Sequence, residues 1–248
     1  MVDLSKFKKN MRNDILNTYS TDGYKVALQK VYYLIKNSNK LANEIGEKSL
    51  PIQIRGECCE LLLELGIMEY ARVKNLPWFT YKGLVIERRD HKKGTTELDL
   101  TLFTPSRIIL FESKYRKGKV KLIDECKIVP EFGSVTDVYK QNIMHLDNLR
   151  KYVYPAIKTV KLNKPFGIVL FVESCVRVQD MRKEEYKSLV PLISLENLEQ
   201  YLNTLESNKN VVWDISHLHK ILTELDKHTD VNLKKHMKEV SKRNGNKH

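Results

Sequence analysis

Two short apolar runs held apart by a turn constrain this chain more than any other feature. They cover residues 96–103 and 107–116, and Thr104-Pro105-Ser106 interrupts them. Such punctuation predicts two strands joined by a tight turn. Within the runs stand Glu97-Leu98-Asp99 and Glu112-Ser113-Lys114. Side chains at i and i+2 of a strand share a face, about 6.6–6.8 Å apart. Glu97 is therefore expected beside Asp99, and Glu112 beside Lys114, and a hairpin can bring the two faces together. Clustered carboxylates raise one another's pKa unless a cation lies among them. Mg²⁺ or Mn²⁺ suits an oxygen-only site of this kind. Glu-x-Lys also occurs as an ordinary exposed cross-strand pair. Here Ile108-Ile109-Leu110-Phe111 leads straight into Glu112, so the strand enters from a buried region.

Phosphodiester hydrolysis needs charge stabilisation at the phosphoryl oxygens, an activated water and a grip on the backbone. Asp99 and Glu112 can hold a cation, and the Ser113 carbonyl between the two inward side chains can add a ligand. Lys114 can orient the attacking water or stabilise developing charge. Glu57, near the start of a helix, can supply a further carboxylate. The plainer role for Glu57 is a carboxylate favoured by the helix dipole.

The net charge of +12 points to a polyanion partner, because a basic surface gains from counterion release. Basic residues gather in 6–12, 88–93, 114–121, 158–164 and 234–247, and two of these clusters flank the carboxylates. No apolar stretch reaches membrane-spanning length, so no membrane partner is expected. The first residues lack the apolar segment of a secretory signal. Cys58, Cys59, Cys126 and Cys175 form no Cys-x-x-Cys pair, which fits a reducing cytoplasm better than a disulfide framework or zinc site.

Periodicity predicts amphipathic helices over residues 1–48, with a break at Ser20-Thr21-Asp22-Gly23 and a boundary at Pro51. A helix over about 56–70 follows, then strands near 83–89, 95–103 and 107–116. Residues 117–136 read as an irregular connection. A helix over about 136–153 has Ile143, Leu146, Leu149 and Val153 along one side, and Pro155 ends it. Residues 167–173 read as a buried strand, 189–194 as a short strand and 195–205 as a helix. From Asp214 onward the pattern is helical and holds five of the seven histidines, the scattered set His217, His219, His228, His236 and His248, which by default belongs to a solvated helix and a frayed basic end. This order predicts an α/β fold, a mixed sheet covered by helices with a crossover connection.

The ordered set Gly56-Glu57, Thr96-Glu97-Leu98-Asp99, Glu112-Ser113-Lys114 and Gln141-Asn142-x-x-His145-x-x-x-Leu149 resembles the nuclease-related domain, NERD, of the PD-(D/E)XK nuclease superfamily. A strand like 166–172 and the segment 191–198 continue the likeness, which covers about residues 52–205. The resemblance implies a restriction-endonuclease-like core over 51–205, a helical N-terminal extension over 1–50 and a helical basic tail over 206–248. It implies a metal-dependent nuclease acting on nucleic acid, DNA rather than RNA. Asp99 and Glu112 match the metal-binding acids, Lys114 the active-site lysine, Glu57 the helix carboxylate and Gln141 the helix glutamine. Gln141 is equally readable as a surface or core-edge amide, and His145 as structural. Glu97 replaces the family's usual glutamine, as an extra ligand or an arginine's partner. Tyr115 replaces a residue that is often polar. Dimerisation, which lets many such nucleases cut two strands, and docking of a protein partner through the terminal helices are both compatible with the pattern. The rival reading is a non-catalytic nucleic-acid-binding module in which the acids serve only structure.

Overall fold

In a computed structural model, residues 4–88, 94–116, 118–131, 134–156, 166–174, 178–207, 211–227, 229 and 231–234 are described. Of the basic clusters, 89–93 and 158–164 and nearly all of the C-terminal one lie outside the described residues, as do His228, His236, His248 and Cys175. Three helices come first: α1 (Leu4–Asp22), α2 (Tyr24–Ile45) and α3 (Leu50–Val73). Gly23 separates the first two at φ 88°, a conformation that costs glycine little. Pro51 sits in the first turn of α3, where its missing N–H costs no helical bond, so the helix starts earlier than expected.

The main sheet has the order β1-β2-β3-β7-β9, from β1 (Phe79–Glu87), β2 (Thr95–Phe103), β3 (Ile108–Arg116), β7 (Phe166–Ser174) and β9 (Leu192–Ile193). β1, β2 and β3 pair antiparallel, while β3, β7 and β9 pair parallel. The parallel β3–β7 pair requires a long crossover. That crossover contains what the sequence pattern left irregular: β4 (Val120–Ile123), β5 (Lys127–Pro130), β6 (Thr136–Asp137) and then α4 (Val138–Val153). β4 and β5 form a hairpin around Asp124 at φ 50°, and with β6 and β8 (Val178–Asp180) they make a second, four-stranded sheet. Lysines at the ends of these strands obscured the alternation of Val120, Leu122 and Ile128, which are fully buried. α5 (Glu184–Leu189) precedes the strand expected over 189–194, which is reduced to β9, and α6 (Leu195–Glu206) and α7 (Ile215–Lys227) follow.

Two cores lie on the two faces of the main sheet. α1, α2, α3 and α6 cover one, where Leu61, Leu62 and Leu65 meet Leu100, Phe111 and Phe171. α4, α7 and the second sheet cover the other, around Phe103, Leu110, Leu149, Leu170 and Trp213. β1 starts four residues earlier than expected because Phe79 and Tyr81 pack on Phe103. The fold is thus mixed α/β, with helical N- and C-terminal regions. Among the described residues, no helix is long and apolar enough to cross a membrane.

Candidate active site

The β2–β3 pairing runs from Phe103↔Ile108 to Leu100↔Phe111 and ends there. Beyond it β2 stays with β1, as Val85↔Glu97, and β3 stays with β7, as Glu112↔Leu170. The sheet forks, and Asp99 and Glu112 are the first residues past the branch. On the other side of β2 the register passes from Lys82↔Leu100 to Leu84↔Leu98 and skips Gly83 and Asp99. Gly83 adopts φ 63° there, a conformation that costs glycine little, and the pairing resumes in the same register on the far side. The fork therefore comes from backbone geometry on both sides of Asp99.

Glu112 is 1% exposed at the end of the apolar run. Lys114 Nζ contacts Glu112 Oε1, and Asn142 Nδ2 donates to Oε2 at 3.1 Å. Asp99 donates a hydrogen bond to Glu112 as well. Burial, and then the charge of Glu112, hold the Asp99 carboxyl well above its ordinary range. Burial also opposes the charge on Glu112, but Lys114, Asp99 and Asn142 together keep its carboxyl below the usual value. Lys114 in turn is buried, yet Glu112 raises its ammonium and keeps it charged. The two carboxyls thus lie side by side, with the Lys114 ammonium at one end.

Asn142 reaches Glu112 because α4 is anchored at its start. The Asp137 side chain accepts from Lys140 N at 3.0 Å as an N-cap, and Val138 N donates to Cys126 O at 3.0 Å, tying α4 to the β4–β5 hairpin. The buried face of α4 carries Asn142, His145, Leu146, Leu149 and Val153, while Ile143 is 38% exposed. Gln141, one residue before Asn142, is half-buried and makes no side-chain hydrogen bond to a described residue. The amide that touches the acids is thus Asn142 rather than Gln141.

The α3 carboxylates also divide. Glu57 contacts Lys82 and lies 3.7 Å from Lys8, and it is nearly fully buried among them. Glu60, one turn later, lies 3.2 Å from Lys82 and lines an open groove of about 570 Å³ with Arg55, Gly56, Ser113, Lys114, Tyr115 and Arg116. Burial, followed by the charge of Asp99, pushes the Glu60 carboxyl up to about 8. Glu60 escaped the sequence reading, although its i+3 spacing from Glu57 put it on the same helix face. Glu97 is half-buried, and its charge acts on both Asp99 and Glu60.

These donors suit a hard divalent cation. Two neighbouring carboxyls favour positive charge between them, and the ordinary ligands of Mg²⁺ are one or two carboxylates with carbonyls and waters. Among the described residues, no three His, Cys, Asp or Glu side chains group into a complete metal cage.

Residues 61–176 match the family of the nuclease-related domain, NERD. This range contains Asp99, Glu112, Lys114, Gln141 and Asn142, while Glu57 and Glu60 lie just before it. A solved structure described as "Crystal Structure of Protein of Unknown Function AF1548" aligns over 68% of this chain and 98% of its own, at 9% identity and a TM-score of 0.29. No curated protein matches the chain. The forked strands, the acid pair, Lys114 and Asn142 therefore stand within the stretch that is similar to the nuclease-related domain.

Proposed function

We propose that this protein hydrolyses phosphodiester bonds of nucleic acid, DNA rather than RNA, with the help of Mg²⁺ or Mn²⁺. The observation that carries the reading is the juxtaposition of Asp99 and Glu112 at the sheet fork, with the Lys114 ammonium on Glu112. Asp99, Glu112 and the Ser113 carbonyl would hold the cation. A divalent cation bound there supplies charge stabilisation on phosphoryl oxygens and lowers the pKa of water. Lys114, kept charged by Glu112, orients the attacking water or offsets negative charge as it develops. Asn142 of α4 fixes the Glu112 carboxylate by donating to its second oxygen. Arg55, Lys114 and Arg116 line the groove beside the acids, where positive charge favours a phosphate backbone.

The test is a substrate panel. Purified protein is incubated with supercoiled plasmid, linear duplex, single-stranded DNA and RNA, each with Mg²⁺, Mn²⁺ or EDTA. Cutting of DNA that needs the metal and disappears in Asp99→Ala and Lys114→Ala, both still folded, is the expected result. Cutting retained in either variant overturns the assignment. Salt-sensitive binding with no metal-dependent product would favour a binding module instead.

A further inference from the structure

Arg55 stands on the wall of the groove beside the acids, and two residues of α2 hold it there. Its Nε donates to Ser38 Oγ at 2.9 Å and its Nη2 to Asn39 Oδ1 at 2.6 Å. Ser38 is fully buried and donates its own proton to Ile35 O at 2.9 Å, so towards Arg55 it can only accept. Both partners of Arg55 are neutral, and among the described residues Arg55 makes no ion pair, whereas Arg12, Arg72 and Arg182 each meet a carboxylate. Its guanidinium plane is therefore fixed while its charge stays uncompensated. Across the groove, Phe111 and Tyr115 of β3 pack in the core under α3, so Ser113 between them faces α3. Ser113 is 8% exposed, and its Oγ is buried without a hydrogen-bond partner among the described residues. Buried hydroxyls are ordinarily satisfied, so this orphan calls for a ligand. Lys114 and Arg116 add positive charge to the same groove, and the carboxylate there, Glu60, is offset by Lys82 at 3.2 Å.

We propose that Arg55 and the Ser113 hydroxyl bind a backbone phosphate of the nucleic acid, flanking the phosphate that is cut at the fork. A planar guanidinium fixed before the ligand arrives loses little freedom on meeting phosphate oxygens, and the serine hydroxyl donates to one of them. Ser38 and Asn39 are positioning residues. Through them α2, which lies outside the stretch similar to the nuclease-related domain, sets the grip on the substrate. A phosphate contact fixes the position of the strand and carries no base preference. The inference rests on the reading of this chain as an enzyme of nucleic acid.

Fluorescence anisotropy of a labelled DNA duplex with the full chain in EDTA, over a range of KCl concentrations, tests it. Arg55→Ala is expected to weaken binding about tenfold or more. It should also lower the slope of log affinity against log salt by about 0.9, the share of one phosphate. Arg55→Lys keeps the charge but not both bonds to α2, so the slope is expected to stay and the affinity to fall. Ser113→Ala removes an uncharged donor and is expected to weaken binding about 3–10-fold at an unchanged slope. Ser38→Ala frees Nε and should behave as Arg55→Lys does. Lys220→Ala is the control, an exposed lysine on α7, which covers the other face of the sheet. In Mg²⁺, a flanking contact made equally before and during cutting should appear in KM, with kcat in Arg55→Ala within about twofold of wild type. Far-UV circular dichroism establishes that each variant is folded. A folded Arg55→Ala or Ser113→Ala that binds as wild type does, or a loss in Arg55→Ala no larger than in Lys220→Ala, overturns the phosphate subsite, and metal-dependent cutting by the same proteins leaves the nuclease reading standing. A wild type that neither binds nor cuts nucleic acid overturns both.

Discussion

Replacing Asn142 by alanine separates the contribution of α4 from that of the strands. Asn142 is 2% exposed, and its Nδ2 donates to Glu112 Oε2 and to Val138 O, both at 3.1 Å. A hydrogen bond to a charged acceptor contributes about 1.5–3 kcal/mol. Glu112 keeps Lys114 and Asp99 in the variant, so its carboxylate is not stranded, and the loss falls near about 2 kcal/mol. For a chain of this size each kcal/mol corresponds to about 2–4 °C, giving a fall of about 4–8 °C. Metal-dependent cutting should drop about 10–100-fold, the usual effect of removing a group that orients a ligand. Thermal melts in EDTA read the first quantity and plasmid cleavage the second. Gln141→Ala is the control, with less than about 0.5 kcal/mol expected at a half-buried position without such a bond. The reasoning is refuted if Asn142→Ala melts within about 1 °C of wild type, or if Gln141→Ala does equal damage.

Gly83→Ala places a Cβ 3.6 Å from Glu97 Oε1, an ordinary contact, so its cost comes from the positive φ. It should destabilise by about 1–2 kcal/mol in urea and reduce cutting by shifting Asp99, and an unchanged midpoint would contradict the need for glycine at this φ. Arg182 has a fully buried side chain and bonds both Asp180 oxygens and Val190 O, so Arg182→Ala should cost about 3–5 kcal/mol. Lysine cannot reproduce the two-pronged contact, and full rescue by Arg182→Lys would count against this account. Burial and then Asp99 raise Glu60 to about 8, and burial and then Glu112 raise Asp99. Both bind protons more tightly in the fold than in the unfolded chain. The Glu60 contribution to stability in EDTA is complete at acid pH and is lost as pH rises through about 8, and that of Asp99 is lost in the same direction, although Lys8 (α1) and Lys114 (β3) offset part of the Glu60 loss and Glu97 (β2) adds to it. A cation at the fork must displace the Asp99 proton, so Mn²⁺ binding should tighten as pH rises, and a flat affinity between about pH 6 and 9 would rule this out.

The strands that carry the acids were legible because period-2 patterning and a proline turn specify them directly. β2 and β3 run essentially as read, and Glu112 and Lys114 share a face. The fork was not legible, because it depends on the left-handed conformation of Gly83 and on β3 pairing with a strand 58 residues later. The helix positions were legible only to within a turn. Glu57 and Glu60 share a face of α3, and Gln141 and Asn142 are neighbours, so packing alone decides which member reaches the acids. The β4–β5 hairpin was hidden because exposed lysines occupy alternate positions of very short strands.

The most direct test of the central claim is cleavage of a labelled DNA duplex by wild type and by Glu112→Ala, with Mg²⁺ and with EDTA. The account predicts product only from the wild type with Mg²⁺, and a folded Glu112→Ala that still binds DNA. Product in EDTA, or undiminished cutting by Glu112→Ala, would contradict it.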